Sequence, residues 1–92
     1  MNNPVHESVV IGDAVIYQRL HDEAVLLDMN AQTYYGLDDV ATDIWELLLE
    51  HGDIELVVER LKRSYNSDEA TLRNDVQDLI LKLKAARLLK SA

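Results

Sequence analysis

The pattern of apolar and polar positions changes its period near Leu37. From Ala14 to Gly36 the apolar residues fall in short runs of strand length, Ala14 to Leu20, Glu23 to Asp28 and Gln32 to Gly36. The breaks between them are His21-Asp22 and Met29-Asn30-Ala31. Such short breaks make consecutive runs pair as antiparallel hairpins, with Asn30 suited to a left-handed turn position. A three-stranded antiparallel meander is predicted.

Beyond Leu37 the period becomes helical. Asp38 is placed to cap a helix whose apolar positions Val40, Ala41, Ile44, Trp45, Leu47 and Leu48 recur at three and four, and Gly52 stops it. Asp53 opens a second helix with Ile54, Val57, Val58, Leu61 and Tyr65 on one face and Glu55, Glu59, Arg60 and Lys62 outside it. The polar run Asn66-Ser67-Asp68-Glu69 opens a third and longest helix through Leu72, Val76, Leu79, Ile80 and Leu83. On its wheel Ile80 lies at one margin of the apolar face, beside Arg73 and Lys84, with Asp75 and Lys82 at the other. Leu81 and Leu88 fall on the opposite side, seven residues apart, as a candidate docking pair. The fold class is α+β, a winged-helix-like order of meander and three helices, one of several small folds compatible with it. Residues 1–13 read as an N-terminal arm, in which Val9-Val10-Ile11 supplies a short extended piece, and residues 14–92 as a single domain.

Composition narrows the class of function. The chain of 92 residues is 48% hydrophobic and 28% charged, enough for one folded core. It has no cysteine, which removes disulfides and thiolate metal sites. No secretory signal or membrane span is readable, so a cytoplasmic protein is expected, with no membrane partner. The 17 acidic and 9 basic residues give a net charge of −8, which opposes a phosphate backbone and argues against nucleic acid as a partner.

Catalytic and metal chemistry find no constellation. His6, His21 and His51 sit in the arm, a turn and a helix end, none with a partner three or four residues away, so they read as surface residues. The acid pairs Asp38-Asp39 and Asp68-Glu69 stand at helix starts, where the macrodipole accounts for them. No P-loop, dinucleotide fingerprint or nucleophile elbow is present. The expectation is a protein that is not an enzyme and carries no cofactor.

The runs Ala24-Val25-Leu26-Leu27-Asp28, Thr33-Tyr34-Tyr35-Gly36-Leu37-Asp38 and Ile44-Trp45-Glu46-Leu47-Leu48, followed by Asp75-Val76, Leu79-Ile80, Leu83 and Leu88-Leu89, resemble the PqqD-like family over about residues 14 to 89. Two positions depart from its pattern. Asp38 stands where relatives often have Asn, which keeps the cap, and Arg87 stands where many have Gly, leaving the third helix to end there or to run on through Leu89. The resemblance implies a winged-helix-like, non-catalytic domain that binds the leader of a ribosomally made precursor peptide. It would deliver that peptide to a processing enzyme, whether a peptidase, a cyclase or a radical enzyme. The Tyr34-Tyr35-Gly36-Leu37 run sits closer to the members of lasso peptide pathways.

The resemblance further implies a leader held between the third strand and the third helix. The candidate peptide-binding residues are therefore Gln32, Thr33, Tyr34, Tyr35 and Gly36 with Asp75, Val76, Leu79, Ile80 and Leu83. The residues permit this, since Gln32 to Tyr35 carry no Lys or Pro to guard an open sheet edge. Read alone, the two tyrosines divide between core and surface as in any strand, and the leucines and valine of the helix are ordinary core. A small winged-helix DNA-binding regulator is the alternative, against which Glu69, Asp75 and Asp78 on the third helix would present the wrong sign.

Overall fold

The computed structural model describes residues 8–91; the first seven positions of the segment read as an arm, Pro4 and His6 among them, lie outside the described residues. Among the described residues the order is β1 (Val9–Ile11), β2 (Val15–Leu20), β3 (Glu23–Asp28), β4 (Thr33–Leu37), α1 (Asp39–His51), α2 (Ile54–Ser64), α3 (Glu69–Ala85) and β5 (Leu89–Ser91). Strands β2, β3 and β4 form the expected antiparallel meander. A second, two-stranded sheet pairs β1 with β5, Val9 opposite Ser91 and Ile11 opposite Leu89. The extended piece at Val9 to Ile11 thus ties the start of the chain to its end.

Turn chemistry fixes the meander. His21 takes φ 61° in the first turn. In the second, the Asp28 carboxylate accepts from the amides of Asn30 and Ala31 at 3.0 and 3.2 Å, and Gln32 donates its amide to the Asp28 carbonyl at 2.8 Å. The left-handed position falls on Gln32, φ 56°, and not on Asn30, because the Asp28 side chain already holds the start of the turn. Gln32 therefore belongs to the turn, and β4 begins one residue later than the apolar run suggested.

The helices begin as read. Asp38, Asp53 and Asp68 each turn a carboxylate back onto an amide of the first turn, those of Ala41, Glu55 and Thr71. Gly52, φ 70°, ends α1 with its amide on the Leu48 carbonyl. Helix α3 stops at Ala85; Arg87 takes φ 62°, and the amides of Arg87 and Leu88 return to the carbonyls of Lys84 and Leu83. Arg87 thus occupies the left-handed position where glycine is the common choice. The turn swings Leu88 inward to 2% exposure while Leu81 is 66% exposed, so the two do not share an outer face of a helix as the wheel had them.

The core lies between the sheet and the helices. Ala24, Leu26 and Leu37 from the meander meet Ile44, Trp45 and Leu48 of α1, and Val57, Leu61, Val76 and Leu83 complete it from α2 and α3. Trp45 is fully buried, and Tyr17 of β2 packs against it edge to face at 6.0 Å.

Candidate functional site

Period-two alternation gives the meander two unlike faces. Tyr17, Leu26 and Tyr35 stand in register on the helix side, whereas Ile16, Leu27 and Tyr34 stand in register on the other. The two edge strands differ as well. On β2, Arg19 is ion-paired with Glu46 of α1, and the Tyr17 hydroxyl reaches the same carboxylate at 3.5 Å, so side chains bridge that edge to the helix. Strand β4 pairs only with β3, and beyond it lies open space.

That space is a cleft of about 430 Å³ between β4 and α3, closed at one end by the first turn of α1. Tyr35, Gly36 and Leu37 form the strand wall, Leu79 with Asp75, Asp78 and Lys82 the wall from α3, and Val40, Ala41 and Ile44 the floor from α1. Only Asp38 separates β4 from α1, and this tight connection holds the first helical turn beside the strand end. The floor is apolar and the rim is charged. Asp78 pairs with Lys82 at 3.7 Å, both well exposed, while the Asp38 carboxylate accepts from the Ala41 amide at 2.8 Å. Three carboxylates against one ammonium leave the rim net negative.

The titratable groups of the cleft are those carboxylates, Lys82 and the Tyr35 phenol, with no thiol among them. Among the described residues no group of three or more His, Asp or Glu side chains is placed to hold a metal ion. The strongest electrostatic features lie elsewhere. Arg73 joins Glu55 of α2 to Glu69, which holds its guanidinium pKa above the ordinary value, and Lys62 with Arg73 lowers that of Glu69. Tyr65 donates to Asp43, which pushes the phenol up to about 12. Arg73–Glu55 and Tyr65–Asp43 tie helices to one another, and none of these residues lines the cleft.

Residues 23–89 match the family model described as coenzyme PQQ synthesis protein D (PqqD). The chain belongs to the PqqD family. Among solved structures it is similar to TbiB1 in complex with the TbiA(beta) leader peptide, at 38% identity and a TM-score of 0.83, over 87% of this chain and 93% of that one. It shares its fold with lasso peptide synthetase B1 complexed with the leader peptide, at 22% identity and a TM-score of 0.82, over 90% of this chain and 98% of that one. No curated protein matches the chain. The PqqD fold here is α+β, as read from the sequence, and no helix among the described residues is long and apolar enough to cross a membrane.

Within this fold the residues singled out from the sequence separate into three groups. Tyr35, Gly36, Asp75 and Leu79 come together around the cleft. Gln32, Thr33 and Tyr34 do not line it: Gln32 sits in the turn, Thr33 is exposed at the start of β4, and Tyr34, 78% exposed, points to the opposite face of the sheet. Val76, Ile80 and Leu83 are placed in the core, each at most 2% exposed. For Ile80 this corrects the wheel. Its margin of α3 is covered, with Arg73 bound to α2 and Lys84 donating to Ser91 of β5, and the cleft runs along the margin of Asp75 and Lys82. Sequence reasoning missed Leu37, Val40, Ala41, Ile44, Asp78 and Lys82. The one-residue link at Asp38 was the signal for α1, since it leaves the first turn no place but next to β4.

Proposed function

We propose that this PqqD-family chain captures the leader segment of a ribosomally made precursor peptide as an added strand on β4 and hands it to a processing enzyme. The observation that carries the reading is the open edge of β4 beside a cleft with an apolar floor and a charged rim. An extended peptide there gains main-chain hydrogen bonds from the edge, and every second side chain falls toward Leu37, Ile44 and Leu79. The likeness to TbiB1, whose structure contains a leader peptide, supports it at 38% identity. The net negative rim favours a peptide with a basic residue over an acidic one. The likeness to a lasso synthetase component supports the lasso branch of peptide maturation, in the cytoplasm where the precursor is made.

The chain acts by binding and leaves the chemistry to its partner, a role supported by the likeness to TbiB1, whose structure is a complex with a leader peptide. No observation favours a DNA-binding reading, since α3 exposes Glu69, Asp75 and Asp78. The test is a titration with the synthetic TbiA(beta) leader peptide, which the 38% identical TbiB1 holds, followed by amide exchange. Saturable binding with slowed exchange along residues 33–37 is expected. Binding with protection confined to other segments would move the peptide off β4, and absence of binding would remove the function.

A further inference from the structure

We propose that the leader is read from both faces of the sheet, and that Gly36 forms a second subsite, on the face away from the helices, for a large and preferably aromatic leader side chain. This rests on strand addition to β4. A strand added there sends its side chains alternately to the two faces, so those between the cleft-facing anchors must lie beside Tyr34 and Gly36.

The outer face is built to receive one of them. Ile16, Leu27 and Tyr34 run in a row across the three strands, and Gln18, Val25 and Gly36 form the next row. None of these six is charged, in a chain where 28% of residues are. Ile16 and Tyr34 are 56% and 78% exposed, and the rows border a shallow cavity of about 570 Å³. Gly36 lines this cavity and the cleft alike, so the two border the edge strand at the same residue. A Cβ at Gly36 would meet nothing within 4 Å, so no packing demand within the chain excludes a side chain there. Glycine instead leaves a notch between Tyr34 and Val25 at the open edge. A strand glycine left bare in this way is covered best by a ring from its cross-strand neighbour. Its neighbour on β3, Val25, has no ring, so a ring over Gly36 would come from the open side of β4, where the added peptide lies.

The experiment is a double-substitution cycle. Gly36→Leu fills the notch, and in the synthetic TbiA(beta) leader peptide each aromatic or large aliphatic residue is replaced in turn by Ala. The variant is expected to fold, with a melting temperature at or above that of the parent, and to bind the parent leader at least tenfold more weakly. One replacement in the leader is expected to lose at least tenfold on the parent chain and almost nothing on Gly36→Leu. Full affinity of Gly36→Leu for the parent leader, or equal losses on both proteins for every replacement, would overturn the subsite while leaving capture on β4 intact. Failure of the parent chain to bind any leader would overturn both readings together. If Gly36→Leu instead keeps its leader affinity but dissolves a dimer seen by light scattering, the face belongs to a second copy and the subsite is wrong.

Discussion

The amide of Leu88 donates to the carbonyl of Leu83 at 2.8 Å, and the turn that allows it is made by Arg87 at φ 62°. A non-glycine residue in the left-handed region costs about 1–2 kcal/mol, while glycine returns about 0.4–1 kcal/mol through the unfolded chain. Arg87→Gly is therefore expected to stabilise the domain by about 0.5–1 kcal/mol, a rise of roughly 3–6 °C in melting temperature. Thermal unfolding followed by circular dichroism checks it. A lower melting temperature would mean that the Arg87 side chain contributes more than the strain removes.

Gly12 faces the same turn. Its amide donates to the Leu88 carbonyl at 3.0 Å, and an added Cβ would lie 2.9 Å from the Arg87 carbonyl oxygen and 3.1 Å from a Val15 methyl. Backbone cannot swing aside as a flexible side chain does. Gly12→Ala is expected to cost about 1–3 kcal/mol, as overpacking generally does, and to speed amide exchange in β1 and β5 before the meander is affected. Uniform exchange in all strands would separate the clash from the β1–β5 pairing.

The bond from Tyr65 to Asp43 gives a dependence on pH of known sign. The folded phenol is pushed up to about 12, above its ordinary value near 10, so the bond's contribution is complete below pH 10 and fades as pH rises toward 12. Tyr65→Phe is expected to lose about 1 kcal/mol in denaturant titrations at pH 7. The gap between parent and variant should narrow between pH 10 and 12. A gap constant across that window would assign the loss to packing.

The fold was legible where local chemistry decides it. Asp38, Asp53, Asp68 and Gly52 mark helix ends in any context, and the alternation in β3 sorts Ala24 and Leu26 from Val25 and Leu27. What was illegible depends on neighbours far along the chain. The wheel of α3 shows two equivalent margins, and only the docking of α2 and β5 decides that Ile80 is covered while Asp75 and Lys82 border the cleft. In the same way, Gln32 and Tyr34 share the apolar run of Tyr35, but the Asp28-centred turn removes the first and the pleat sends the second to the opposite face. The resemblance named β4 and α3, and the two elements do face each other across the cleft; which residues on them meet was a matter of tertiary packing.

A test of the cleft must alter its shape without opening the core. Ile80→Asp fails that condition, because a carboxylate at a 2% exposed position would cost several kcal/mol and unfold the site with the protein. Ala41 meets it. This residue lies in the first turn of α1, is half-buried and lines the cleft floor, where a longer side chain extends into the space a peptide anchor would occupy. Leucine is also a good helix former, so Ala41→Leu is expected to change stability by less than about 1 kcal/mol. Affinity for the leader should fall at least tenfold, about 1.4 kcal/mol, by calorimetric titration. Leu81→Ala, on the exposed far side of α3, serves as the control and should bind as the parent does. Should Ala41→Leu keep full affinity while its melting curve is unchanged, the leader's anchors do not enter between β4 and α3. The peptide would then rest on the outer face alone, and Tyr34→Ala would be the variant that releases it.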